Sequence, residues 1–141
     1  MLFDLDNPVV QLCAAGMAVD GDAAAASVLF AQAWVARRDD FDASVAAHFV
    51  ARHQTTPELT LDWNLRAVQH AEAVTDGRAN ELLASLYLNL GDAYRVLGQQ
   101  PQASSAAQKA IDAIVLLPAG GYRDFVTMGV ERLQARLAEP R

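Results

Sequence analysis

Apolar residues recur along this chain at three- and four-residue steps, and short polar clusters separate the runs. This periodicity predicts seven helices, near residues 8–19, 22–37, 41–54, 57–74, 79–97, 101–116 and 121–138. The breaks carry turn chemistry: Asp20-Gly21-Asp22, Arg38-Asp39-Asp40, Gln54-Thr55-Thr56, Asp76-Gly77, Gly98 through Pro101, and Pro118 through Gly121. Thr56-Pro57-Glu58 reads as an N-cap, a first-turn proline and an acid favourable to the helix dipole. No segment alternates apolar and polar residues with the β-branched enrichment of a strand. In the last helix Tyr122, Phe125, Val126, Val130, Leu133 and Leu137 repeat as a stripe, which suits a helix laid over an otherwise exposed face.

The fifth and sixth helices show most clearly how a pair would pack. Gly91 and Ala103 are small enough for two helices to approach closely, and Leu90, Tyr94 and Ala110 fill the seam. Gly98 ends one helix in a conformation unfavourable to residues with a Cβ, and Pro101 opens the next. Together with Tyr87 these residues read Tyr87-x2-Leu90-Gly91-x2-Tyr94-x3-Gly98-x4-Ala103-x6-Ala110. That spacing resembles the signature of the tetratricopeptide repeat, a 34-residue helix–turn–helix unit. Two earlier copies align on Ala67 and Ala33, at steps of 43 and 34 residues. In the first, Val10, Cys13, Ala14, Met17, Gly21, Ala26, Phe30 and Ala33 take the signature positions. The middle copy is degenerate, with His48, Ala51 and Thr55 at three of them. Its nine extra residues are expected to lengthen helices around Thr75-Asp76-Gly77-Arg78. The third copy has Ala107 in place of the aromatic and a late closing proline, Pro118. The resemblance implies an all-α, right-handed α-α superhelix of three hairpins (8–37, 41–74, 79–116) plus a capping helix over 121–138, in one domain.

Composition narrows the function. Of the 141 residues 52% are hydrophobic and 20% charged, which suits a globular chain. The net charge is −6 and no Lys or Arg precedes Arg37, which argues against a nucleic-acid footprint. No apolar run is long enough to span a bilayer, and the acidic N-terminus lacks the basic start of a signal peptide. Cys13 is the single cysteine, so a reducing, cytoplasmic setting is expected. The Ala-rich, Lys-poor composition resembles high-GC bacterial coding.

The resemblance also implies a groove lined by the first helix of each pair. Here that line includes Gln11, Ala15, Val45, Phe49, Arg52, His53, Leu88, Asp92 and Arg95. Phe49, Arg52, His53, Asp92 and Arg95 are the candidate peptide-binding residues; the arginines would fork onto carboxylates and Phe49 would offer an apolar shelf. The bland alternative is a solvated face with local pairs, Asp92 with Arg95 or Arg95 with Asp124. The line holds no lysine, which disfavours acidic chaperone tails as ligands. The expected function is a non-catalytic protein-interaction module. Its rivals are a homodimeric structural subunit, with Met1-Leu-Phe covering an edge, and a small enzyme using His48, Arg52, His53 and Asp62.

His48 and His53 are five apart, about 140° around a helix, a poor pair for one metal. His48 is expected to hydrogen-bond across to the Trp63-Asn64 helix, and Trp34 and Trp63 to be core between repeats. Gly120-Gly121 is a hinge and not a phosphate loop. No cofactor, metal or catalytic residue is expected.

Overall fold

A computed structural model describes residues 4–139. Among them lie seven α-helices and no strand: α1 (Pro8–Ala18), α2 (Ala23–Val35), α3 (Asp40–Val50), α4 (Pro57–Ala73), α5 (Leu83–Val96), α6 (Gln100–Ile114) and α7 (Gly121–Leu137). A single 3-10 turn, Ala51–His53, extends α3. The Met1-Leu-Phe edge lies outside the described residues.

Local chemistry starts and stops these helices. Asn7, Asp22, Asp39 and Thr56 each accept a first-turn backbone N–H, at Val9, Ala25, Asp42 and Leu59. After α5 the Gly98 N–H donates to the Arg95 carbonyl at 2.9 Å, and the Gln99 N–H to that of Tyr94 at 3.0 Å. Gly98 takes φ 72°. This is a Schellman stop, and a Cβ at Gly98 would strain it.

Two expectations about chain length are corrected. The nine extra residues do not lengthen helices; they form the non-helical stretch 74–82 between α4 and α5. There Gly77 adopts φ 87°, the Asp76 carboxylate accepts from the Arg78 N–H, and turns bond Asn80 to Gly77 and Leu82 to Ala79. A helix starting at 79 would have to break these turns, so α5 begins at Leu83.

The chain divides within this stretch into two compact units, Met1–Thr75 and Asp76–Arg141. In the first, α1 packs on α2, both meet α3, and α3 packs on α4. Val9, Cys13, Phe30, Ala33, Val45 and Ala67 are among its buried side chains. Of the first-copy signature residues Val10, Cys13, Ala26, Phe30 and Ala33 are buried, but Ala14 and Met17 are exposed. The close approach falls on Gly16 instead, where a Cβ would run into the Phe30 ring.

In the second unit α5 packs on α6 and both pack on α7. Ala84, Ala110, Ala113, Leu117, Val126 and Val130 form its core, with Tyr87 and Leu88 half-buried beside them. Leu90, Gly91, Ala103 and Ala110 are buried as their spacing predicts, and Tyr94 is half-buried. A Cβ on Gly91 would fall 3.4 Å from the Ala103 carbonyl oxygen but only 2.8 Å from Leu133 Cδ2, so α7 sets the tightest limit. On α7, Val126, Val130 and Leu133 are buried while Tyr122 and Phe125 are exposed. The predicted stripe is therefore too wide by those two aromatics.

Candidate functional site: paired charges and open helix faces

The polar residues of the middle segment converge on one acid. Asp20 lies in the turn between α1 and α2. Its carboxylate accepts Arg52 Nη2 at 2.6 Å and Nε at 3.3 Å, and faces His53 Nε2 at 2.7 Å. Hydrogen bonds from Arg52 and then His53 hold the Asp20 carboxyl down at about 2. Behind them Phe30 stacks on Phe49 at 5.5 Å and on His53 at 6.4 Å between ring centroids, and His48 stands edge-on to Phe49 at 4.9 Å. Of the candidate peptide-binding residues, Arg52 and His53 thus fasten the α1–α2 turn to the end of α3, and Phe49 packs the end of α3 on α2.

His48 sits at the edge of this aromatic cluster. Burial, then the nearby Arg52 charge, pushes its imidazole down to about 4, so it is neutral at pH 7. The Asn64 side chain donates to the Thr60 carbonyl of its own helix at 2.9 Å. Trp34 and Trp63 meet edge to face at 5.0 Å, yet both are only half-buried. Each carries a guanidinium over its ring, Arg37 at 4.0 Å and Arg66 at 4.3 Å. They form a surface-edge stack and not the expected core, because each indole needs to shed only one face of water.

In the second unit Arg95 Nε donates to Asp92 Oδ1 at 2.9 Å, the local pair of the bland alternative. Arg136 Nη1 approaches the same oxygen at 3.8 Å. Tyr122 Oη and Ser85 Oγ share a hydrogen bond at 2.5 Å.

Two polar features escaped the sequence. Asp42 is fully buried and accepts from Asn7 Nδ2 at 2.7 Å, from the Arg38 N–H at 3.1 Å and from Arg38 Nε at 2.9 Å. Burial pushes this carboxyl up, but the Arg38 and Asn7 hydrogen bonds win and hold it below its ordinary value. Nearby, a cleft of about 490 Å³ is lined by Val35, Arg37, Arg38, Asp39, Asp40, Ala43 and His70. Its lining carries charges of both signs, and His70 Nδ1 lies 2.9 Å from Asp40 Oδ1. Among the described residues no group of three or more His, Cys, Asp or Glu side chains is placed to hold a metal. Burial pushes the Cys13 thiol up to about 12, leaving it without nucleophilic character.

Against this self-paired polar surface stand apolar side chains left in water. Phe125 on α7 is 70% exposed, with Tyr122 and Met128 one turn to either side. On α2, Val28 and Val35 are 58% and 79% exposed. No helix of the described residues is long and apolar enough to cross a membrane. Compared with protein-family models, with curated proteins and with solved structures, the chain matches none of them.

Proposed function

We propose that this protein is a non-catalytic interaction module that docks a helical segment of another protein on the open face of α7. The observation that carries this reading is the exposed row Tyr122, Phe125 and Met128. A phenylalanine left mostly in water forgoes about 1.5–3 kcal/mol of burial free energy, which a partner would recover. Aromatic residues and methionine are the types enriched at protein interfaces, and methionine adapts to irregular apolar partners. An amphipathic helix presenting leucine-sized side chains at three- and four-residue steps fits such a row.

The reading moves the contact away from Phe49, Arg52, His53, Asp92 and Arg95. Their guanidiniums and imidazole hold acids of the same chain, so an incoming carboxylate would have to displace Asp20 or Asp92. It also keeps the tetratricopeptide resemblance as an architectural reading. Within each unit, the hairpins α1–α2, α3–α4 and α5–α6 and the packing of α7 on α5 and α6 are what support it. We place the module in the cytoplasm of a bacterium, in keeping with its single buried thiol and its composition.

The test is a selection of displayed helical peptides on the purified chain. Phe125→Ala should weaken the selected binders about thirty-fold, roughly 2 kcal/mol, because interface aromatics are common hot spots. Arg52→Ala should leave them unchanged. Binders indifferent to Phe125 but lost with Arg52 or Arg95 would return the site to the groove.

A further inference from the structure

The second helix is the anomaly of this surface. Residues 23–35 contain only two polar side chains, Ser27 and Gln32. A helix apolar on every side is normally enclosed by protein. Here α2 buries one stripe, Ala26, Phe30 and Ala33, and leaves its opposite side in water. On that side Ala24, Val28, Ala31 and Val35 follow one another at steps of four, three and four residues. This is the spacing of the two apolar positions of a heptad, the seam of a helix pair.

We propose that a second copy of the chain closes this seam, its α2 lying antiparallel across a two-fold axis. Three observations choose this occupant. The seam complements itself: with the axis between Leu29 and Phe30, Ala24 faces Val35 and Val28 faces Ala31 of the other copy. Every branched side chain then meets a methyl group, which lets the backbones approach closely. The ends complement each other in charge. Asp22 caps the start of α2, and Arg37 lies just past its end, held there by its bond to the Trp34 carbonyl at 2.7 Å. The same alignment sets Asp22 across from Arg37 of the other copy, twice, and opposes the two helix dipoles. Finally, the flanking residues Ala25, Ser27, Gln32 and Trp34 carry no charge, so two chains of net charge −6 meet here without like charges in contact.

A thirteen-residue helix gives a seam only about 20 Å long, so association is expected to be weak and concentration-dependent. Sedimentation of the full chain over a concentration series should show its mass rising from one chain toward two. Val28→Glu should keep the helical circular dichroism and abolish the rise. Orientation is read by disulfide trapping, for which buried Cys13 leaves a clean background. Ala24→Cys and Val35→Cys proteins should cross-link when mixed and oxidised, and neither should do so alone. A wild-type mass that never rises overturns the proposal. So does a Val28→Glu chain that still dimerises, or cross-linking of Ala24→Cys with itself, which would mean parallel pairing. If Val28→Glu fails to fold, the cysteine pair decides. A monomeric chain that still binds helices through Phe125 would sink this inference and leave the α7 reading standing.

Discussion

The helices α2 and α6 bury the same three positions and differ on their outsides. Aligned on their buried residues, Ala26, Phe30 and Ala33 of α2 correspond to Ala103, Ala107 and Ala110 of α6. On the outer side Val28, Ala31 and Val35 correspond to Ser105, Gln108 and Asp112. Gln108 even donates to Asp112 at 3.0 Å, the ordinary way for a helix face to meet water. The hairpin therefore constrains only the inner stripe. The apolar outer stripe of α2 answers to something the hairpin does not contain.

The inner stripes differ in one respect with a large expected effect. In the first hairpin the helix crossing is set by Gly16 against an aromatic ring; in the second unit Gly91 meets the flexible tip of Leu133 on α7. Gly16→Ala should destabilise its unit by about 1–3 kcal/mol of overpacking, less up to about 1 kcal/mol returned as helix propensity. Gly91→Ala should cost clearly less, because a leucine methyl can turn aside. Urea denaturation measures both, and equal midpoints for the two variants would show that the two crossings are not different after all.

Next in size is the outer face. Giving α2 the outer residues of α6 (Val28→Ser, Ala31→Gln, Val35→Asp) should leave folding within about 0.5 kcal/mol per site, since surface changes rarely do more. Self-association should vanish. A triple variant that melts early would mean that the apolar stripe serves its own chain and that the comparison misreads it.

The last effect is in acid, and in the first unit it centres on two groups. His48 is held at about 4, below its ordinary 6.5, so the unfolded chain takes up its proton first. Stability from this group is complete above pH 6.5 and is lost as pH falls to about 4. Asp20, held at about 2 against an ordinary 3.8, then withdraws its contribution between those values. His48→Gln should flatten the upper window alone, and Asp20→Asn should make the lower shallower, with Asp42 still contributing there. Were the melting temperature flat from pH 7 to 4 in the wild type, His48 would not be buried as described.

How far the sequence carries these arguments depends on how local the physics is. The helix cap at Thr56 and the stop at Gly98 act within a few residues, and both are readable. So is the inner stripe, because burial repeats with the helix. Gly16 was hidden by its neighbour: Ala14 is also small, and only the arrival of Phe30 from the next helix decides between them. The partners of Arg52 and Asp42 lie 32 and 35 residues away, at Asp20 and Asn7, and side-chain spacing carries no record of such pairs. The fifth helix begins late because Gly77 and the Asp76 side chain favour turns over the helical propensity of Ala79 and Glu81. The open face of α2 was present in the composition of residues 23–35, where two polar side chains in thirteen are too few for a helix half in water.

The buried Asp42 has a consequence for which wrong structures this chain can reach. Its donors come from two places, the residue that starts α1 and the arginine that precedes α3. Slide α1 along its neighbours by one helical turn, about 5.4 Å, and its apolar side chains would still find apolar company. Asn7 would not reach Asp42, and a carboxylate with no access to water would lose a donor. Losing a hydrogen bond to a buried charge costs about 1.5–3 kcal/mol, a sizeable part of what holds a small domain together. Greasy alanine-rich helices are nearly indifferent to such slips; this one acid makes them errors the chain can detect.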